Sequence, residues 1–593
     1  LQMRANTVKH LEILETYSGQ RQGSLLHAID RTKTSVGARL LRQWLLFPLL
    51  EQASIENRQR QVAFWIENFN PSPKSPGVKV IREHLSNMGD IERRLGKICH
   101  PNANPRDLQS LAQSLQEGLV LASKTRFYNY SESGIRAADQ IVSIVNEAFM
   151  DEVPLHFNKD YFVKKGFRKD LDEWIDLTTH GEDKILQMEE TERQATGISS
   201  LKIRYNQVFG YYIEVTNTHK DKIPKTYIRK QTLTNAERFT TEALQDLETK
   251  ILSARAKRFE LENAVFKEIK DKILAQGAYL IDIAGQWAEI DVYTSLSYLA
   301  VERKYVRPRV LANSKMKIEG ARHPVIEQLQ KDVFVPNDID MASGEVMLLT
   351  GPNMAGKSTI MRQVAICQIM AQMGSYIPAK SAELPLIDRI FTRIGASDSL
   401  SEGLSTFMVE MVETAEIFKS LTTKSLVIMD EIGRGTSTFD GMSLAQAILE
   451  EMLHKNSSFG FFATHYHELT RIAQTNQRLK NAHMSISDRD GDLKFLYKLK
   501  DGAASKSYGI HVAKLAGLSK SITDRAKIIL NSLESGQNTE PKVMQMDLFT
   551  QDLQTADPAW IEDLKAVEVE GMTPIQALNY LVGLKDLANN DAN

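Results

Sequence analysis

Gly351-Pro352-Asn353-Met354-Ala355-Gly356-Lys357-Ser358-Thr359 follows an apolar run at 345–350 and opens a stretch of helical periodicity, the setting a G-x-x-x-x-G-K-[ST] loop requires. Its glycines let consecutive backbone N–H groups curl around a β-phosphate, and the helix behind them adds positive potential at its N-terminus. Lys357 is placed to neutralise β- and γ-oxygens, and the Ser358 hydroxyl to ligate Mg2+. A strand that feeds such a loop belongs to a largely parallel sheet, so this segment points to α/β architecture after Pro308.

Two later apolar runs end in polar groups at the same sheet edge. Residues 425–429 lead into Asp430-Glu431. Asp430 would hold the Mg2+ shell, and Glu431, an acceptor near the γ-phosphate but off the metal, is placed to polarise the attacking water. Residues 459–463 lead into Thr464-His465, whose imidazole can hydrogen-bond the γ-phosphate. Between these runs Ser405 begins a helix with the stripe Met408, Met411, Ala415 and Phe418. That helix start is either a capped N-terminus and nothing more, or an anion site reaching a γ-phosphate held by another subunit.

Upstream, residues 1–146 read as helices, with apolar spacings such as Leu40, Leu41, Trp44 and Leu45 and breaks at Pro48, Pro71 and Pro101. A long polar helix over 168–194 gives way to the alternation Leu201-Lys202-Ile203-Arg204-Tyr205 and the run 208–215, a strand pair. No proline occurs from 225 to 307, and the seam Leu244, Leu247, Ile251, Ala254, Val265, Ile269, Ile273 predicts one helix of more than 40 residues, longer than about 60 Å. It reads as a strut with the strand-bearing insertion at its tip. Between 198 and 238 eight basic residues (Lys202, Arg204, Lys220, Lys222, Lys225, Arg229, Lys230, Arg238) face three acids (Glu214, Asp221, Glu237), a local balance of about +5 on a chain whose net charge is −2. Any polyanion must therefore be met locally.

Length sets the wider bounds. At about 150 residues per domain, 593 residues predict roughly four compact units. Apolar residues at 42% and charged residues at 25% exclude a disordered or fibrous chain. No apolar run reaches the roughly 18 residues of a membrane span, and two cysteines, Cys99 and Cys367, provide no disulfide framework, which fits a soluble intracellular protein. The first residue is Leu1, which suggests a piece of a longer protein. Residues 509–534 form a helix-turn-helix pattern whose second helix carries the apolar seam Ile522, Ala526, Ile529 and Leu533, unsuited to reading DNA. A polar linker over 536–558 precedes a last helix from Thr573-Pro574 with the stripe Ala577, Leu578, Leu581, Leu584 and Leu587.

Together, 351–359, Ser405 to Met411, Asp430-Glu431-Ile432-Gly433-Arg434-Gly435-Thr436-Ser437-Thr438, Ala463-Thr464-His465, residues 501–509, Asn235-Ala236-Glu237-Arg238 and Asn6-Leu11-Glu12 resemble the MutS family of bacterial DNA mismatch-repair ATPases over essentially the whole chain. The resemblance implies an ABC-type P-loop ATPase joined to a helical core, levers and a DNA clamp. The implied domains are a helical core at 1–165, a clamp insertion at 166–245, a lever and second core part at 246–305, the ATPase at 306–500, a helix-turn-helix dimerisation element at 501–535, the linker, and a helical oligomerisation piece at 559–593. It implies that residues 351–359, Asn353 and Met354 included, hold ATP and Mg2+, that Phe334 stacks on adenine, and that Ser405 approaches the γ-phosphate from a second subunit. Leu404 departs from the polar residue often found before that serine.

The same resemblance assigns catalysis to Lys357, Glu431 and His465, and grip on the DNA backbone to Lys202, Arg204, Lys230 and Arg238. It implies a cytoplasmic homodimer, or a tetramer through the tail, with MutL as a partner. Gln545-Met546-Asp547-Leu548-Phe549 resembles the short peptide that docks on the replication sliding clamp. The family's mismatch-reading and connector domains have no counterpart in these residues, so the expectation is DNA binding without mismatch discrimination. A DNA clamp or scaffold module, as in recombination-type relatives, is the alternative. A transport-type ABC ATPase gives no reason for the strut or the basic insertion.

Overall fold

A run as apolar as Val346-Met347-Leu348-Leu349 belongs where both faces of a strand are covered, and in the computed structural model Val346–Thr350 lies buried inside a seven-stranded sheet. The structure describes all residues except 74, 155–160, 207, 209, 313–314, 331, 353–354, 396–404, 456–457, 490–491, 505–508, 535–571 and 591–593. The strand order is Gln2–Met3, Arg389–Arg393, Ser425–Asp430, Phe459–Ala463, Val346–Thr350, Leu479–Arg489 and Asp492–Asp501. Neighbours are parallel throughout except for the final hairpin. Ala463 pairs with both Leu349 and Asp430, so three strands end level with one another. In parallel sheets ligands bind beyond such carboxyl ends. Arg309–Leu311, Ser381–Pro385, Met316–Ala321 and Asn337–Met341 make a second, mixed sheet.

The expected helices of the first 150 residues form, and their starts are set by side-chain caps. Ser24, Thr34, Asp90 and Ser131 each accept from the N–H three residues on, and Asn104-Pro105-Arg106-Asp107 closes a reciprocal capping box. These helices pack around Gly277–Arg303, where Trp287, Ile290 and Leu296 are buried. One apolar core runs from Leu11 and Trp65 through Trp287 to Met370 and Phe461. That continuity explains why about four expected units become two, Leu1–Ser507 and Tyr508–Asn593. The second unit carries the helices Gly509–Leu515, Lys520–Glu534 and Pro574–Asn590, with Gly517 at a positive φ of 91° in the turn between the first two.

The single strut is corrected to two helices. Glu242–Ala275 spans 34 residues, roughly 51 Å, and stops at Gln276, whose N–H bonds back to Ile273 and Leu274; Gly277–Arg303 then begins afresh. A proline-free stretch does not guarantee continuity when a glycine, poor in helix interiors, stands at the junction. The insertion between Lys169–Thr196 and Glu242–Ala275 is richer than a strand pair: Lys202–Asn206, Gly210–Thr216, Ala236–Thr240 and Ile228–Thr232 form a four-stranded antiparallel sheet. Its inner face, with Ile203, Ile213, Val215 and Phe239, closes on Ile185 and Leu244 as a separate apolar cluster. Between this cluster and the main core the two helices carry polar contacts. Arg258 and Glu262 pair at 3.1 Å while buried, and Arg258 donates to Thr178 Oγ1 beside a kink at His180. Among the described residues no helix is long and apolar enough to cross a membrane.

Candidate functional site

The loop after Val346–Thr350 turns on two glycines. Gly351 and Gly356 sit at φ +119° and +98°, a region open to glycine and costly to other residues. Gly356 is the residue before the helix Lys357–Gln372, so the loop runs directly into a helix start, where the first N–H groups have no acceptor within the helix. Lys357 is buried; its ammonium donates to the Gly351 carbonyl and lies 4.0 Å from Glu431 Oε1. Burial holds its pKa below the ordinary lysine value, partly offset by Glu431 and Asp430. Asn353 and Met354 lie outside the described residues.

Asp430 meets this loop from the end of its strand. Ser358 Oγ donates to Asp430 Oδ2 at 2.5 Å, while the buried Asp430 Oδ1 has no partner among the described residues. Burial raises the Asp430 pKa against the Ser358 hydrogen bond. A buried carboxylate oxygen without a donor is costly, and a hard cation beside a hydroxyl would satisfy it, the donor chemistry Mg2+ takes when phosphates supply its other ligands. The residues present therefore fit the ion.

Glu431 is held at φ +54°, its N–H donating to the Ala463 carbonyl and its Oε2 2.7 Å from Arg434 Nη1. His465 leaves the neighbouring strand with its ring centroid 4.1 Å from that of Tyr466, and partial burial holds its pKa below the ordinary histidine value, so the ring is neutral at pH 7. Lys357, Ser358, Asp430 and Glu431 thus form one cluster, with His465 on the adjacent strand end.

Beside the loop lies a cavity of about 390 Å³ lined by Phe334, Gly356, Thr359, Ile360 and, from the last two strands, Met484 and Tyr497. The structure brings Phe334 to the loop. Tyr497 was not foreseen: within its strand nothing in the sequence marks it, yet its φ of +51° is unusual for a side-chain-bearing residue, and its carbonyl is anchored by Asn337 at 2.9 Å.

Ser405 caps Thr406–Ser420 by accepting from Met408 N–H, and it is exposed; no contact joins it to this chain's own phosphate loop among the described residues. Leu404 and the segment Gln545 to Phe549 lie outside the described residues. In the antiparallel sheet, Lys202 and Arg204 alternate on the face opposite the apolar cluster, and register puts Arg238 there too, across from Glu214. Lys202 and Arg204 are exposed. Arg238 is 18% exposed, donates to Gln231 Oε1 at 2.8 Å and lies 4.3 Å over the Tyr212 ring. Lys230 stands at the irregularity between Arg229 and Gln231.

The MutS domain III profile matches residues 6–297 and the MutS domain V profile residues 347–534. The chain is 41% identical to the DNA mismatch repair protein MutS of Desulfitobacterium hafniense, over 98% of this chain and 68% of that protein. It is 40% identical to the MutS of Caldanaerobacter subterraneus over 98% and 68% of the two chains, and 41% identical to that of Syntrophobacter fumaroxidans over 99% and 68%. Matched by two family profiles and by relatives about 40% identical along nearly its whole length, the chain belongs to the MutS family of DNA mismatch repair proteins.

Proposed function

We propose that this protein binds ATP with Mg2+ at 351–359, hydrolyses it, and couples that cycle to its hold on duplex DNA. The observation that carries the reading is Asp430: one oxygen receives the Ser358 hydroxyl and the other is buried without a partner among the described residues, beneath a loop whose lysine is desolvated. Ser358 and Asp430 would hold Mg2+, which when bound neutralises charge on the β- and γ-oxygens. Lys357 and the backbone N–H groups of the loop bind the phosphates, and Phe334 and Tyr497 take the adenine between them. Glu431 accepts the proton of a water that attacks the γ-phosphorus; the new P–O bond forms as the bond to the β,γ-bridging oxygen breaks, and ADP leaves. Arg434 now occupies Glu431 Oε2, so it has to yield as the water is engaged. His465, neutral, donates to a γ-oxygen.

In this reading the site is composite, with Ser405 of one subunit reaching the γ-phosphate held by the other, and the protein works as a cytoplasmic homodimer or tetramer alongside MutL and the sliding clamp. The helices Lys169–Thr196 and Glu242–Ala275 carry motion between the ATPase and the clamp. Lys202, Arg204, Lys230 and Arg238 contact DNA phosphates without regard to sequence. Steady-state turnover of a Lys357→Ala variant tests the site: loss of hydrolysis supports it, and wild-type turnover refutes it.

A further inference from the structure

Gly433 is held by both of its backbone groups. Its N–H donates to Glu410 Oε1 at 2.6 Å, and its carbonyl accepts from the Tyr466 hydroxyl at 3.1 Å. Its φ is +89°, and a Cβ there would lie 2.5 Å from the Gly441 carbonyl oxygen. Glu431 stands two residues earlier, fixed on its other side by the hydrogen bond to Ala463. The carboxylate that orients water is therefore carried on a short segment pinned to the sheet at one end and to Glu410 at the other.

Glu410 lies on the helix Thr406–Ser420, the helix that Ser405 caps. It is buried, and its Oε2 is 4.0 Å from Arg393 Nη2, at the end of the strand Arg389–Arg393. Arg393 also reaches Glu413, one turn further along the same helix, at 3.2 Å. A shift of this helix carries Glu410 with it, and the Gly433 N–H must follow or lose a charge-assisted bond in a buried place.

We infer that Glu410 is a positioning residue, which makes the placement of Glu431 depend on where the helix capped by Ser405 sits. The helix start that faces outward would then set the water-orienting carboxylate inside. This inference rests on the nucleotide reading above. A misplacement of about 1 Å at a reacting group is worth up to roughly a hundredfold in rate.

The test uses the full chain, with Glu410→Ala, Glu410→Gln and Lys357→Ala, and measures kcat, KM, the affinity for a fluorescent ATP analogue with Mg2+, and the melting temperature. Glu410→Ala is expected to lower kcat by about ten- to a hundredfold with analogue affinity within about twofold of wild type. Glu410→Gln, whose amide oxygen still accepts from Gly433, is expected to recover most of that loss. Unchanged kcat in Glu410→Ala, with Lys357→Ala inactive, overturns the inference and leaves the nucleotide site standing. Parallel loss of affinity, kcat and melting temperature in both Glu410 variants also overturns it, since that marks a purely structural acid. Turnover that survives Lys357→Ala removes the underlying site assignment and the inference together.

Discussion

Ser358 and Asp430, 72 positions apart in sequence, meet at 2.5 Å where a strand end faces the first turn of the helix Lys357–Gln372, and the second Asp430 oxygen is left buried with no partner among the described residues. Asp430→Asn keeps the size and can still accept from Ser358, but it removes the charge. Metal-assisted charge stabilisation is worth several kcal/mol, so ATP turnover is expected to fall at least about a hundredfold. Because burial already disfavours the charged carboxylate, the melting temperature is expected to hold or rise. Wild-type turnover with ordinary Mg2+ dependence in this variant would remove Asp430 from the metal site.

The cavity lined by Phe334 and Tyr497 makes a second, separable claim. Stacking of a base on an aromatic ring is worth about 1–3 kcal/mol, so Phe334→Ala and Tyr497→Ala are each expected to weaken ATP binding by about five- to a hundredfold while kcat at saturation changes little. In the proposed site the phosphates lie against residues 351–359, so affinity for inorganic triphosphate should not change. Equal loss of triphosphate binding would mean that these rings support the loop and do not hold a base.

The contrast between these two sites shows what a sequence can convey. That the glycine-rich stretch at 351–359 and Asp430-Glu431 each follow a buried strand was legible because apolar runs precede both. Tyr497 was not, since its role comes from a hairpin that folds back beside the loop, and no local pattern encodes that approach. Likewise Ile228–Thr232 carries too few apolar residues to declare itself a strand; pairing with Ala236–Thr240 decides it. The break at Gln276-Gly277 escaped notice because the apolar seam continues across it while the backbone does not.

On the antiparallel sheet, Lys202 and Arg204 project from the same face and are exposed, whereas Arg238 is tied to Gln231 and stacked on Tyr212. Each lost phosphate contact lowers the salt slope of duplex binding by about 0.9. The pair Lys202→Ala and Arg204→Ala is therefore expected to reduce the slope of log K against log salt by about 1.8, equally for matched and mismatched duplexes. Arg238→Ala should lower the slope as well and, because Tyr212 loses its cover, also lower the melting temperature. An unchanged slope in the double variant, measured by fluorescence anisotropy, would place DNA elsewhere.

His10 gives the protein an acid-sensitive joint between its first helix and the large sheet. Its Nδ1 lies 2.9 Å from the Thr392 carbonyl, and burial lowers its pKa to about 4. The folded state thus holds a neutral ring that the unfolded chain protonates near pH 6.5. Its contribution is fully present above that pH and is lost as pH falls from about 6.5 towards 4, by up to roughly 3 kcal/mol. His323, buried with a pKa of about 3, works in the same direction. Melting temperatures taken between pH 7.5 and 4.5 are expected to fall less steeply in His10→Gln than in wild type; identical slopes would clear His10 of this role.

Asp291 and Gly37 offer the sharpest test of the helical core, because their effects should not add. The Asp291 carboxylate has no exposure and accepts from Lys33 N–H, Thr34 N–H and Thr34 Oγ1, at 2.7 Å for the last two, fastening the start of Ser35–Leu46 to Gly277–Arg303. Burial raises its pKa even so. Asp291→Ala strands these donors at about 1–3 kcal/mol each, and a loss of at least about 3 kcal/mol is expected. Gly37→Ala is destabilising for a different reason: its Cβ would lie 2.2 Å from Asp291 Oδ2. In the double variant the missing carboxylate makes room for that methyl, so the combined loss in a denaturant titration should fall short of the sum by about 1 kcal/mol or more. Strict additivity would mean that the Gly37 methyl is accommodated without touching Asp291, and that the helix start is fastened by something other than this carboxylate.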